Sequence, residues 1–255
     1  MNIIFFGNNR TAVRCLEWMM SQGHCPVGLV LNPESSRRHS DELIEISRLP
    51  KECIFDGARI HQQEIMGAMA SLKPNLGLSI LYDQIIGPEL IDLFPDGIIN
   101  IHPGLLPYNR GNYPNVWSII DGTPSGVTLH YIDEGLDTGD IIAQREVDVL
   151  PVDTGKSLYH KLENAMLELL MDQLPDVVLR RNTRSIQDHS VATHHRRGDV
   201  RNIDCIDLDS QVRAGDLIDL LRARTFPPYS AAYFEHEGRK VNVRIKLSYM
   251  DEEQS

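Results

Sequence analysis

This 255-residue sequence is narrowed first by what it lacks. No run approaches the roughly 18 apolar residues that a membrane-spanning helix needs. The N-terminus, MNIIFFGNN, has no charged leader and no cleavage site, so it reads as a first strand rather than a signal peptide. Cysteine is scarce: Cys15, Cys25, Cys53 and Cys205 stand far apart, with no CxxC and no metal-type spacing. Free thiols in a cytosolic protein fit that pattern. Positive charge is also short, 25 Lys+Arg against 36 Asp+Glu, for a net charge of −11. That balance disfavours a nucleic-acid partner, because neutralising phosphate needs a local excess of Lys and Arg. A GxGxxG turn is missing after the first strand, where Gly7-Asn8-Asn9 stands instead, so a dinucleotide site is set aside. The expected ligand is small.

What is present is an ordinary globular chain with 42% hydrophobic residues, consistent with one large α/β domain and a small appendage. The apolar run Ile3-Ile4-Phe5-Phe6 is followed by a helical pattern through Val13, Leu16, Met19 and Met20, ended by Gly23. PVGLVL (26–31) reads as a second buried strand, which completes a βαβ unit of a parallel sheet. Residues 32–42 are polar, a loop or the start of a helix, with a helical pattern around 43–49. LGLSIL (76–81) and GIINI (97–101) are further buried strands, with a short helix near 88–93 between them. Residues 103–114, PGLLPYNRGNYP, form a rigid loop, followed by a short helix at 116–120 and strands at 126–132 and 141–149. Thr154 or Ser157 is expected to cap a long helix through Leu158, Leu162, Met166, Leu169 and Leu170, with Pro175 in its end region. Residues 182–202 are polar and read as a connector across the surface. Beyond them come a helix at 212–221, the corner FPPY (226–229), and strands at 231–234 and 241–247 joined by HEGRK as a β-hairpin. The tail DEEQS reads as an acidic, frayed end.

The chemistry concentrates between Asn100 and Ile142. Asn100 and His102 lie two apart at the end of a buried strand, so both face one side, at the carboxyl edge of a parallel sheet where open α/β folds hold ligands. Further on, DEGLDTGDI carries Asp133, Glu134, Asp137 and Asp140 among two glycines. A carboxylate beside a histidine fixes its tautomer and stabilises its charged form, as acyl-group chemistry requires. Each piece also has a plainer reading. Asn-x-His alone is a capped strand end, and DEGLDTGD alone is a solvated turn that lacks the register of a calcium loop. His189, His194 and His195 read as a polar surface loop rather than a metal site, with no Cys or acidic partner at ligand spacing.

Taken together, NIHPGLLPYNRG, WSIIDG, GVTLHYIDEGLDTGDII and LYHKLENAMLELL closely resemble the folate-dependent formyltransferase family, over roughly residues 1–180. The resemblance implies an α/β fold: a Rossmann-like formyltransferase domain with a mostly parallel sheet at 1–180, a connector at 181–202, and a small C-terminal helix and β-hairpin unit at 203–255. It implies a catalytic trio of Asn100, His102 and Asp137. In that chemistry an amine attacks the formyl carbon of N10-formyltetrahydrofolate and creates a tetrahedral oxyanion. Asn100 and His102 are suited to donate hydrogen bonds to it, one such donor contributing roughly 3–4 kcal/mol, and Asp137 to stabilise the His102 imidazolium. The resemblance points to Gln84, Ile85 and Ile86, and to Asp133, Glu134, Gly135, Leu136 and Asp137, for the folate, largely through backbone that Gly135 and Gly139 let approach closely. No metal is implied. Some members carry an Arg two residues after the RG of the 103–114 loop. This chain has Asn112 there, so that contact is not transferred.

Within the family, the acidic balance and the roughly fifty residues after the connector speak against a tRNA acceptor, whose enzymes carry a longer basic barrel. Gly7-Asn8-Asn9-Arg10 in place of a glycine-rich stretch speaks against glycinamide ribonucleotide, and a hydrolase would have a preceding regulatory domain. YNRGNYPNVWSIIDG and LRARTFPPYSAAYF are similar to the sugar-nucleotide branch. That branch formylates the 3- or 4-amino group of a dideoxyhexose on dTDP, or on GDP or UDP, for O-antigen or related glycans. Asn9, Arg10, Asn109, Arg110, Tyr113 and Tyr229 are then the expected substrate contacts, with Arg222 and Arg224 as further cations for the diphosphate. Methionyl-tRNA or glycinamide ribonucleotide as acceptor, and a non-catalytic folate or nucleotide-sugar binder, are the alternatives. Three intact catalytic positions argue against the binder. The C-terminal helix and hairpin are a candidate dimer surface.

Overall fold

The structure is a computed structural model that describes residues 1–251. The last four residues of the expected frayed tail, 252–255, lie outside the described residues. The chain opens with alternating strands and helices: β1 (Ile3–Gly7), α1 (Asn9–Ser21), β2 (Gly28–Leu31), α2 (Ser40–Ser47), β3 (Ile54–Asp56), α3 (Gln63–Ser71), β4 (Leu76–Ile80), α4 (Pro88–Ile91) and β5 (Ile98–His102). Strands β1, β2 and β4 are buried at every residue. With both faces covered, they read as unbroken apolar runs. The short β3 and the helix α3 went unread in the sequence, because residues 50–75 mix small and polar residues without a clean period.

Next come β6 (Arg110–Gly111), α5 (Pro114–Ile120), β7 (Gly126–Tyr131), β8 (Ile141–Glu146) and α6 (Gly155–Val178). The chain continues with β9 (His194–His195), α7 (Val200–Ile203), α8 (Ala214–Ala223), β10 (Tyr233–His236) and β11 (Arg239–Asn242). Thr154 caps α6: its Oγ1 accepts from the N–H of Ser157, whose Oγ accepts from the N–H of Thr154. Pro175 sits inside the helix, which runs three residues past it.

Seven strands form one sheet in the order β3-β2-β1-β4-β5-β7-β8. The pairs from β3 to β5 are parallel, and β5 to β7 is antiparallel, with Asn100 opposite His130. This is the mostly parallel, Rossmann-like α/β fold expected from the sequence. The chain runs outward from β1 to β3 and then returns to β4 on the other side of β1, so the strand order reverses beside β1.

The chain divides into two compact units that interleave in sequence. One holds 1–102, 128–144 and 166–187, the other 103–127, 145–165 and the chain from 188 onward. In the first, Ile4, Phe6, Val30, Phe55, Met69, Leu90 and Ile98 belong to one buried cluster. In the second, Gly155 lies so close to α8 that a Cβ there would strike the carbonyl oxygen of Ala223.

Two local expectations are corrected. The hairpin strands lie at 233–236 and 239–242, because Glu237 and Gly238 both take positive φ (50° and 73°) and close a two-residue turn inside HEGRK. The connector is not simply a surface crossing. Its residues His194 and His195 pair in parallel with Arg110 and Gly111, since backbone pairing needs no apolar side chains. Among the described residues no helix is long and apolar enough to cross a membrane, and all four cysteines are free.

Candidate active site

The carboxyl half of β5 and the facing part of β7 build the site. Asn100 and His102 share a face of β5, and the antiparallel register sets His130 of β7 directly opposite Asn100 on that face. Asn100 Nδ2 lies 3.2 Å from His130 Nε2. The Asp137 carboxylate faces both histidines, with Oδ2 3.5 Å from His102 Nδ1 and Oδ1 3.6 Å from His130 Nε2. The two rings meet edge to face at 6.5 Å. The structure thus brings the expected Asn100, His102 and Asp137 together, and adds His130, which the sequence reading missed. Its one signal was a histidine within the apolar alternation of GVTLHY.

His130 has a definite protonation pattern. Its Nδ1 is 2.8 Å from the carbonyl oxygen of Tyr131, an acceptor only, so Nδ1 carries the hydrogen. Burial pushes the His130 pKa below the ordinary range, and the facing Asp137 carboxylate offsets this only in part. The neutral ring therefore turns the lone pair of Nε2 toward Asn100, whose amide nitrogen donates to it. That contact fixes which way round the amide stands.

The loop that carries Asp137 is tightly tied. Asp133 Oδ1 accepts from the Gly135 N–H (3.0 Å) and the Thr138 hydroxyl (2.6 Å), and the Tyr131 N–H donates to the Asp140 carbonyl (2.9 Å). A Cβ on Gly139 would strike the Tyr131 carbonyl oxygen, so only glycine passes there. Asp137 itself holds φ +53°. Gln187 Nε2 donates to the carbonyls of Asp137 (2.9 Å) and Gly139 (2.7 Å). Nothing in the polar run around Gln187 marked it in the sequence.

The residues expected to meet folate lie in the same unit. Gln84, Ile85 and Ile86 follow β4, where Gln84 Nε2 donates to Asp83 (2.6 Å) and the Ile85 carbonyl accepts from His61 Nε2 (3.0 Å). Ile86 packs into the core. Ile85 and Leu136 are 85% and 56% exposed. Asp133, Glu134 and Gly135 are exposed on the 133–137 loop.

The expected substrate contacts divide. Asn9 begins α1 with φ +70°, half-buried, and Arg10 is exposed. Tyr113 and Tyr229 are 39% and 50% exposed, and Tyr229 packs edge-on against Phe226 at 5.2 Å. Asn109 and Arg110 are interior residues, 1% and 2% exposed. The Asn109 amide donates to Thr123 (2.8 Å), its backbone N–H donates to the Thr193 hydroxyl (2.7 Å), and the Arg110 guanidinium donates to His189 Nδ1 (3.0 Å), so both residues tie the 103–113 loop to the chain after residue 188. Asn112 serves the same seam, its N–H donating to the His195 carbonyl (2.9 Å). Neither of the other cations is a solvated arginine. Arg224 forms a buried two-point pair with Asp204 (2.5 and 3.0 Å), and Arg222 binds Asp219 and the carbonyls of Leu150 and Asp153. Among the described residues no three His, Cys, Asp or Glu side chains come together as a metal would require.

Comparison with known proteins places the family. Residues 1–174 match the family "Formyl transferase", and residues 199–249 match the "N-formyltransferase dimerization C-terminal domain". The dTDP-4-amino-4,6-dideoxyglucose formyltransferase of Mycobacterium tuberculosis is 35% identical over 173 residues, covering 65% of this chain and 74% of that protein. The methionyl-tRNA formyltransferase of Alkaliphilus oremlandii is 28% identical over 249 residues, covering 95% of this chain and 79% of that protein. A crystal structure of a 4-N formyltransferase from Francisella tularensis superposes with a TM-score of 0.84 at 32% identity, covering 98% of each chain. A β5 strand ending in Asn-x-His, a glycine-bounded aspartate loop facing it and a match along two thirds of the sequence lead to one conclusion: this chain belongs to the formyl transferase family.

Proposed function

We propose that this chain is an N-formyltransferase that moves a formyl group from N10-formyltetrahydrofolate to the amino group of a nucleotide-linked amino-dideoxy sugar, dTDP-3-amino- or dTDP-4-amino-dideoxyhexose. The observation that carries the reaction class is the buried cluster in which the two oxygens of Asp137 face His102 and His130 while His130 orients Asn100. The acceptor class is supported by the mycobacterial relative named for a dTDP-amino sugar and by the Francisella 4-N formyltransferase fold.

The folate supplies an activated formyl group. The chain's residues fit such a donor: the exposed apolar side chains Ile85 and Leu136, on two loops of the same unit, offer surface for a flat ring. During transfer the bond from the amine nitrogen to the formyl carbon forms and the bond from that carbon to the folate nitrogen breaks. The proton leaving the amine ends on the folate nitrogen. Negative charge gathers on the formyl oxygen meanwhile, and the amide of Asn100 and the imidazole of His102 are the donors for it. Asp137 stabilises His102 while it carries the extra proton. For the acceptor, Asn9, Arg10, Tyr113 and Tyr229 are the contacts proposed. Asn109 and Arg110 act by holding their loop. The match of residues 199–249 to a dimerization domain supports a homodimer, and O-antigen or a related glycan is the proposed destination of the product.

The test is a formyl-transfer assay with N10-formyltetrahydrofolate, offering dTDP-3-amino and dTDP-4-amino sugars beside glycinamide ribonucleotide and methionyl-tRNA. Rapid turnover of one dTDP-amino sugar is expected and fixes the regiochemistry. Activity on methionyl-tRNA alone, the acceptor of the Alkaliphilus relative, would replace the sugar branch and leave the catalytic cluster standing. Tight folate or dTDP-sugar binding without turnover of any amine would leave a binder.

A further inference from the structure

Residues 175–198 fall between the two matched regions, yet part of this stretch is laced to the loop that carries Asp137. The Asn182 amide donates to the Tyr131 hydroxyl (3.0 Å) and the Arg184 guanidinium lies 3.5 Å above the Tyr131 ring, at the loop's start. Ser185 and Ile141 exchange backbone hydrogen bonds of 2.8 and 2.9 Å at its end. Between these, Gln187 reaches in, 4% exposed, and donates to the carbonyls of Asp137 and Gly139.

We propose that Gln187 is a positioning residue for formyl transfer, its buried amide clamping the backbone on both sides of Thr138 so that the Asp137 carboxylate stays between His102 and His130. The proposal rests on the formyl-transfer reading above and deepens it by assigning a part of the catalytic apparatus to the segment between the two matched regions.

The physical argument has three parts. Asp137 sits at φ +53°, a left-handed conformation uncommon for a residue with a Cβ and one its surroundings help hold. Two carbonyl oxygens directed at the same spot repel one another, and a single –NH2 group with two hydrogens bridges them as no other neutral side chain of this reach does. The Asp137 contacts with the two rings, 3.5 and 3.6 Å, are long for hydrogen bonds. A shift of an ångström in this backbone therefore decides whether the carboxylate addresses the histidines at all. Glutamate at 187 would point oxygen at the two carbonyls. Methionine would keep the volume and lose both donors.

The experiment compares wild type, Gln187→Met, Gln187→Glu and Asn182→Leu in the full-length protein by amide hydrogen exchange without substrate and by steady-state kinetics. Asn182→Leu removes a contact of the same strap away from Asp137. In Gln187→Met and Gln187→Glu, amides of 133–140 are expected to exchange at least about 10-fold faster while those of β4 and β5 stay protected. The expected kcat falls about 100-fold with the KM of both substrates within about threefold. Asn182→Leu should lower the melting temperature yet keep kcat within about twofold of wild type. Unchanged exchange at 133–140 overturns the proposal, as does a kcat lowered equally by Asn182→Leu. If wild type formylates no amine, the formyl-transfer reading fails and exchange alone decides whether Gln187 clamps this loop.

Discussion

Each compact unit contains a histidine cluster, and the two are built on opposite principles. In the first, Asn100, His102, His130 and Asp137 are held by strand register and by a laced loop, and their polar atoms face one another at 3.2 to 3.6 Å. In the second, His195 lies flat on Trp117, with centroids 4.0 Å apart and planes 6° from parallel, and its Nε2 is 3.0 Å from Asp121. His189 accepts from the buried Arg110, and His194 supplies backbone to a two-residue strand pair. The first cluster turns two rings, a carboxylate and an amide toward one another. The second uses rings as packing plates and backbone as thread. The number of histidines says little about chemistry; what each nitrogen faces says nearly all of it.

The sharpest way to break the contrast is to exchange the key histidine of each cluster. His102→Asn is expected to lower kcat by about 10⁴-fold while leaving acceptor KM nearly unchanged, because it removes both a proton carrier and an oxyanion donor. His195→Asn should leave kcat within about twofold. Steady-state kinetics of the two purified variants checks both. A matching loss in His195→Asn would put the second cluster in the chemistry.

The second unit should fail in stability instead. Trp117 is buried beneath His195, and Trp117→Ala is expected to cost about 3–5 kcal/mol by opening a cavity. Urea unfolding would register this as a lower midpoint, with kcat per folded molecule close to wild type. Lost turnover with unchanged stability would reverse the assignment.

His130→Leu sharpens the first cluster from inside. It removes the acceptor that orients Asn100 and one of the two groups facing Asp137, without touching the expected path of the formyl group. About a 30-fold loss in kcat with unaltered KM is expected, within the range for residues that hold catalytic ones in place. A loss as deep as that of His102→Asn would make His130 a proton carrier in its own right.

The sequence made the first cluster legible and the second nearly invisible, for a physical reason. Asn100 and His102 sit on a strand whose period of two is readable, and the glycines around Asp137 mark a backbone that turns sharply. His130 was hidden because its partner lies 30 residues away and only antiparallel register sets the two opposite each other. Gln187 was hidden more deeply, since its two acceptors are backbone carbonyls 50 and 48 residues back, which no side-chain pattern encodes. The same blindness explains Asn109 and Arg110. They stand inside the informative motif, and their bonds to Thr193 and His189, more than 70 residues on, follow no local pattern. The parallel sheet was readable from its apolar runs, whereas β6 and β9, two residues each, exist only as a pair.

The smallest expected effect is a titration that both clusters share. Burial lowers the pKa of His130 against the partial support of Asp137, with His102 opposing and Asp133 helping. Burial likewise lowers that of His195 against the support of Asp121 and Asp199, with His194 opposing. In the unfolded chain both rings titrate near the ordinary 6.5. Between each folded pKa and that value the unfolded chain holds more protons, so unfolding free energy rises with pH across the window. The contribution is complete above 6.5 and is lost as pH falls, by at most about 1.4 kcal/mol per pH unit for each ring. Urea unfolding between pH 7.5 and 5.5 should therefore show a flatter pH slope in His130→Gln, a flatter slope in His195→Gln, and the flattest in the double variant. An unchanged slope in His130→Gln would mean that folding leaves the pKa of the ring where it was, and a steeper slope would mean that the ring is held charged in the fold. In that case Nε2 carries a hydrogen toward Asp137, and the lone pair assigned to orienting Asn100 is gone. The stability slope of one buried ring thus tests the direction of a hydrogen bond in the proposed catalytic cluster, while the His195 slope, with no such consequence for turnover, is its internal reference.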